Sequence, residues 1–428
     1  MHRRLAPLAV ILAFLLSCVI PIGVQGQAPD RNPTLAFSNG QWFDGHGFNK
    51  RTAYSVNGVL TFKRPAQIER TIDLHEGFVI PPFAEAHNHN VETLNNVDTL
   101  VERYLSHGIF YVKNPNNLAR DRVRLLPKLD RPDSIDVSFS NGSFTGSGGH
   151  PVEIPQRVIR TGKWTEADAE GGFYYVIDDP SDLEKKWPLL IATHPDFIKT
   201  YLLYSNEYAR RKNDPKFNAW KGLDPALLPI IVRKAHAEGL RVSAHIENEP
   251  DFHNALVAGV DEINHMPGFR YAADVEKHVI SDFEISDADA QLAARHDTFV
   301  VTTLAGSRYS DKAQQQEQDR LNANNLAMLM KHHVRIALGS DSYRSDTVPE
   351  ATYIASLHVM SNARLLNFWC STVQTIFPKR KVGELKDGYE ASFLVLSADP
   401  TKDFSAIEKI DLRVKQGQIL EIPSVQSN

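Results

Sequence analysis

Two cysteines in 428 residues exclude a disulfide scaffold and a thiolate metal site. One of them, Cys18, lies in an apolar N-terminal stretch, so a chain cleaved beyond it keeps only Cys370. An excess of one charge is missing as well: 47 Lys plus Arg stand against 52 Asp plus Glu, a formal charge of -5. No basic run exceeds Lys379-Arg380-Lys381, which argues against the clustered positive face that nucleic acid requires. With this length a large core needs no covalent staples. Any metal must be held by histidine and carboxylate, and with 17 histidines present only their spacing can select the ligands.

The N-terminus reads as a secretory signal over residues 1–28. Met1-His-Arg-Arg4 is basic, Leu5 to Val24 is almost uninterrupted apolar sequence, and small residues follow up to Ala28. That pattern predicts export, to the periplasm or beyond. An uncleaved anchor is the alternative, because the run is about as long as a spanning helix needs. Leu15-Leu-Ser-Cys18 also resembles a bacterial lipoprotein cleavage site, which would leave a lipid anchor at Cys18.

Beyond the leader, both ends of the chain read as antiparallel β-structure. Asn39-Gly40 and Asn57-Gly58 separate short apolar runs, a strong hairpin signal. Similar runs return at Ala391–Leu396 and Ile410–Val414. Small sheets cannot bury a face alone. Residues 30–80 and 382–425 are therefore expected to combine into one small β-sandwich around a main domain at 81–381.

The main domain alternates strand-like and helical patterns. Eight strand candidates begin near Phe78, Ile109, Ile135, Phe197, Leu240, Asp261, Thr298 and Val334. Helical patterns occupy Pro225–Gly239, Phe252–Val257, Ser286–His296 and Leu321–His332. Repeated strand-then-helix units give parallel strands, and eight of them favour an α/β fold of the TIM-like (β/α)8 barrel type. The stretch 141–194 is too long for a plain connection and is expected to cap the site.

Six residues fall at or just beyond predicted strand ends: His87, His89, Lys199, His245, His265 and Asp341. Alternate residues of extended backbone face the same way, so His87 and His89 can reach one ion. Twenty residues separate His245 from His265, room for one helix and the next strand, and 76 separate His265 from Asp341. Ends of parallel strands converge on one face of a barrel. Singly, each histidine or lysine is better explained by packing or solvation, and only the ordered set points to a metal centre.

These residues resemble the amidohydrolase superfamily, with its imidazolonepropionase-like and Xaa-Pro dipeptidase-like members. The family's His-x-His is met by His87 and His89, its strand-four lysine by Lys199, its later histidines by His245 and His265, and its strand-eight aspartate by Asp341. The resemblance implies two divalent metal ions, zinc by default, bridged by a carboxylated Lys199. His87, His89 and Asp341 would hold the buried ion, and His245 and His265 the exposed one. It further implies a metal-bridging hydroxide as nucleophile, with Asp341 shuttling the proton to the leaving group.

Gly142-Ser-Phe-Thr-Gly-Ser-Gly-Gly-His150 is similar to a loop of dipeptidase-like relatives that would place His150 beside the substrate carbonyl; a solvated lid tip is the competing reading. Tyr201, Tyr204 and Tyr208 are weaker candidates for a substrate carboxylate. Where the family has Pro-Gly-Phe-Ile-Asp, this chain has Pro81-Pro-Phe-Ala-Glu85, and the amides of Asn88, Asn90, Asn95 and Asn96 suggest a polar pocket floor.

The expected activity is cleavage of an amide or peptide-like bond in a small substrate, a dipeptide or an N-acyl amino acid. A lactone or ester hydrolase is an alternative, as is a ring deaminase. Lys199 and the absence of Glu three positions after His245 disfavour deamination. A non-catalytic exported binding protein would be expected to have lost a ligand, and none is missing. The sequence leaves oligomeric state open.

Overall fold

A computed structural model describes residues 32–270, 276–306 and 311–421. The leader at 1–28 and Cys18 lie outside the described residues.

Eight short parallel strands carry the main domain: β1 (Phe83–Glu85), β2 (Ile109–Asn114), β3 (Asp136–Phe139), β4 (Ile198–Tyr201), β5 (Val242–His245), β6 (Glu262–Asn264), β7 (Phe299–Val301) and β8 (Arg335–Ala337). Seven match the runs read from sequence; the run beginning at Phe78 splits, Phe78–Ile80 joining the terminal sheet and only Phe83–Glu85 the main domain. Nearly every residue in the eight is buried, as expected for strands covered on both faces. The first three pair in one ladder and β4 to β8 in another, in parallel register from Ile198↔Val242 to Val301↔Ala337.

The architecture is TIM-like, but no single ladder closes it. Between β3 and β4 Asp196 and Phe139 exchange a backbone bond and a side-chain bond, each 2.8 Å, and the short strand Phe144–Thr145 pairs with β4 instead of β3. Between β8 and β1 the hydrogen bonds fall mostly beyond the strand ends. Ala86 N donates to Leu338 O at 2.9 Å, and Ser340 N and Asp341 N donate to His87 O at 3.1 and 2.8 Å.

Glu85 explains why this seam holds. Its buried carboxylate accepts from Ser340 N at 2.9 Å, Ser340 Oγ at 2.8 Å and His87 N at 3.2 Å. Burial pushes its pKa well above the usual range. The departure from the family's shorter aspartate is thus a clasp between β1 and the segment after β8. Gly339 lies in the same seam: a Cβ there would stand 2.8 Å from His87 Cβ and 2.7 Å from Val301 Cγ1.

The two chain ends do share a sheet, although not a two-sheet sandwich. One eight-stranded mixed sheet runs from Gln418–Ile419 through Ile410–Lys415, Phe393–Leu396, Phe78–Ile80 and Leu35–Phe43 to Phe48–Val56 and Val59–Thr61, with Arg70–Asp73 branching from Leu35–Phe43. It curls over its own core of Phe37, Trp42 and Phe393, whose rings meet edge-on at 4.8–5.2 Å. Leu60 N to Tyr389 O and Ala391 N to Gly58 O, both 2.8 Å, bring its far edge back to the other end. Curling buries the apolar face without a second sheet.

Helices follow the expected order with shifted ends. The helix read at Leu321–His332 starts at Lys312, capped by Asp311, because its Gln-rich first half has helix propensity without apolar periodicity. The helix Glu249–Ala258 starts on an Asn248/Asp251 capping box and stops at Gly259, φ 82°. Its Asp251 also accepts from the backbone N–H of Tyr204, Ser205 and Glu247, which ties the chain beyond β4 to the chain beyond β5.

Candidate metal centre

His87 and His89 leave β1 on the same side, and the β1–β8 seam brings Asp341 to them. Both Nε2 atoms point at one oxygen, Asp341 Oδ1, each at 3.3 Å. Donor atoms of His87, His265 and Asp341 all lie within 4.8 Å of one another. The His265 ring is 4.8 Å from that of His87 and 4.4 Å from that of His245. His265 and Asp341 both have left-handed backbones, φ 76° and 50°, a strained state that persists where the surroundings dictate it.

Partners on the far side orient the rings. His89 Nδ1 meets Glu92 at 2.9 Å and His265 Nδ1 meets Thr303 Oγ1 at 2.6 Å, leaving the other nitrogen of each ring for the centre. His87 Nδ1 is buried without a partner. His245 differs, since its Nε2 faces Glu247 Oε1 at 3.1 Å, and Glu247 is in turn bonded by Arg270.

Lys199, fully buried on β4, donates Nζ to Asn264 Oδ1 next to His265. The structure therefore gathers His87, His89, His265 and Asp341 tightly, sets the His245 ring against His265, and places Lys199 beneath them. The donor set, imidazole and carboxylate with no thiolate, suits zinc or a similar divalent cation.

Burial decides most protonation states. It lowers His87 to about 4 and holds His245 and His265 well below the ordinary imidazole range, so all three are neutral, the form that ligates. For His89 burial also pulls downward, but its bonds to Asp341 and Glu92 prevail and raise it to about 9. Burial would raise Asp341, yet His87 and His89 keep it well below the usual carboxylate value. Lys199 falls to about 7 because it is desolvated. A neutral amine there is a nucleophile toward carbon dioxide.

The cluster forms the floor of a cavity of about 280 Å³. His150 enters it from the loop after β3, its Nδ1 on Glu153 at 2.6 Å and its ring 5.2 Å from His245. Tyr201 also lines the cavity, whereas Tyr204 and Tyr208 do not. From the 141–194 segment come Glu153, Ile154, Arg157 and Phe173, which make one wall.

The amides expected on the floor are elsewhere. Asn88 and Asn90 donate to Ser345 O and stitch the first loop to the segment after β8, while Asn95 and Asn96 are exposed. Sequence reasoning missed Asn116, Arg157, Arg270 and Tyr343 in the lining. Two of them had a positional signal: Arg270 follows His265 by five residues and Tyr343 follows Asp341 by two, on loops at the ligand end of β6 and β8.

Residues 218–420 match the amidohydrolase family. The match spans a little under half of the chain and makes this stretch similar to the amidohydrolases. The likeness supports a hydrolase acting on C–N bonds, and the matched family is generally metal-dependent and often binuclear. The matched stretch carries His245, His265 and Asp341; His87, His89 and Lys199 precede it.

Solved structures with the same fold include A. niger ochratoxinase, at 16% identity and TM-score 0.71, covering 93% of this chain and 98% of that one. A Xaa-Pro dipeptidase with bound methionine in the active site aligns at 16% identity and TM-score 0.65, covering 91% and 100%. Molinate hydrolase aligns at 14% identity and TM-score 0.68, covering 93% and 97%. No curated protein matches the chain by sequence.

Proposed function

We propose that this protein cleaves an amide or peptide-like bond of a small substrate, a dipeptide or an N-acyl amino acid, and that it is exported. The observation that carries the reading is the meeting of His87 and His89 Nε2 on Asp341 Oδ1, 3.3 Å each, on the floor of a closed-in cavity. Neutral His87 and His265 and the ionised Asp341 are ready ligands, and with His89, once it sheds its proton, they fit a divalent cation. His245 and a carboxylated Lys199 would complete a second site, for which His245 must turn from Glu247. Two such ions, when bound, would supply Lewis acidity and an activated water.

The chain's own groups have separable tasks. Asp341 is ionised and faces the cavity, so it can take a proton and pass it to a leaving nitrogen. His150, steadied by Glu153, stands with its ring 5.2 Å from that of His245 and can donate to a substrate carbonyl. Lys199, which donates to Asn264, would carry the carbamate. Export rests on the composition of residues 1–28 alone.

The test is to express residues 29–428, count metal per protomer, and screen dipeptides, N-acyl amino acids, lactones and cyclic amidines. The proposal expects about two ions and release of an amino acid. Ammonia release from a ring substrate would replace it with deamination. Asp341→Asn should lower kcat by about 10² to 10⁴ while circular dichroism stays native.

A further inference from the structure

We propose that Asn116, Arg157 and Arg270 form a recognition arm for a substrate that carries a free carboxylate besides the bond it loses. The inference rests on the hydrolase reading above and names its substrate class.

Within the cavity most charges are already matched. Asp341 serves His87 and His89, Glu153 Oε1 serves His150, and Glu247 serves both His245 and Arg270. Arg157, on the helix Glu153–Ile159, lines the rim with no carboxylate within ion-pair distance among the described residues. Arg270 gives Nη2 to Glu247, but its buried Nε has no partner.

Asn116 is the decisive group. It is only 1% exposed, lines the same cavity, and neither its Oδ1 nor its Nδ2 has a partner. Buried amides without partners are rare because desolvation is uncompensated. Its backbone is not free to adjust: Asn116 N donates to Asn114 Oδ1 at 3.2 Å, and Asn114 Nδ2 is bound to Val91 O at 2.8 Å. The side chain is therefore held as a donor and an acceptor for something that enters.

The chemistry of that something follows from the groups. The Arg157 guanidinium, which lacks an acid, and the unpartnered Nε of Arg270 match a carboxylate, to which arginine bonds in a planar fork. An amide presenting both donor and acceptor matches a second amide. The cavity, about 280 Å³, sits at the lower end of small-molecule sites, too small for a peptide chain. An N-acyl amino acid or a dipeptide with its terminal carboxylate satisfies all three conditions. A neutral amide or a urea leaves Arg157 without a counter-charge.

The experiment compares N-acetyl-L-amino acids with their carboxamides, using the full chain loaded with metal. Affinity is read by calorimetry on the Asp341→Asn background to prevent turnover, and hydrolysis is read on the unsubstituted protein. The acids should bind at least about tenfold tighter than the amides. Arg157→Gln and Arg270→Gln should each cost the acid about 10- to 100-fold and shrink that preference.

Arg157 is exposed, so Arg157→Gln remains informative if Arg270→Gln does not fold, and Arg157→Lys should restore part of the loss. Equal affinity for acid and amide, binding of neither, or an unchanged preference in Arg157→Gln overturns the inference. Hydrolysis of acids and amides alike leaves the hydrolase reading standing while this one falls. Selective binding of acids without C–N cleavage has the reverse outcome.

Discussion

Replacing Glu262 by Gln should cost this protein about 3–5 kcal/mol, a large part of the roughly 5–15 kcal/mol that holds a folded domain together. Glu262 sits at the start of β6 with its side chain 1% exposed, facing Lys113 of β2 at 4%. Lys113 Nζ reaches both carboxylate oxygens at 2.8 Å. Ser243 Oγ and Asn264 Nδ2 each donate to Oε1 at 2.8 Å, and Thr375 Oγ1 donates to Oε2. Every one of these partners is a donor. A glutamine keeps one acceptor and turns an NH₂ against Lys113 or Thr375, leaving a buried ammonium without its counter-charge.

The assay is equilibrium guanidinium unfolding followed by tryptophan fluorescence, in a double-mutant cycle with Lys113→Met. Removing both charges should recover most of the loss, since uncharged groups can occupy the same space at little cost. A loss below about 1 kcal/mol for Glu262→Gln, or a double variant no better than the single one, would refute the reasoning. The site should register the change as well. Asn264 is anchored by Glu262 and accepts from Lys199, so metal content should fall in Glu262→Gln before the fold is lost.

Acid should dissolve the same pair: burial alone would raise Glu262, but Lys113 holds it down at about 2, below its unfolded value near 4. Its contribution is thus full above about pH 4 and lost as pH falls toward 2, which acid titration of stability against the Lys113→Met/Glu262→Gln variant will detect. Zinc affinity of the metal-free protein should rise by about tenfold per pH unit up to pH 9, because His89, raised to about 9, must shed its proton to ligate. Affinity that stays flat from pH 6 to 8 would contradict this. Gly339→Ala should destabilise by about 1–3 kcal/mol, since its Cβ meets His87 and Val301 inside the seam, and thermal unfolding will measure it.

Local pattern carried much of the architecture. Apolar runs such as Ile109–Lys113 and Thr298–Thr303 announce strands because burial and β-propensity act over a few residues, and His87 and His89 share a face because a strand alternates. Reading the candidates at strand ends placed His87, His89, His245, His265 and Asp341 at or just past the ends of β1, β5, β6 and β8, whereas Lys199 lies within β4. The terminal sheet was legible as strands from its Asn-Gly turns, but not as one curled sheet, since curling depends on Leu60 finding Tyr389.

From the amino-acid order alone came the identity of the candidate ligands, the strand each one follows and the chemistry their side chains allow. Tertiary structure alone decided which nitrogen of each histidine faces inward, that Glu85 clasps Ser340, that His245 turns to Glu247, and that Asn116, Arg157 and Arg270 share a cavity with Asp341. Apart from His245 and Glu247, two residues apart, those are arrangements of residues far apart in sequence. The clasp of Glu85 on Ser340, for one, is set by how the segment after β8 crosses the one after β1, and no periodicity within either segment encodes that crossing.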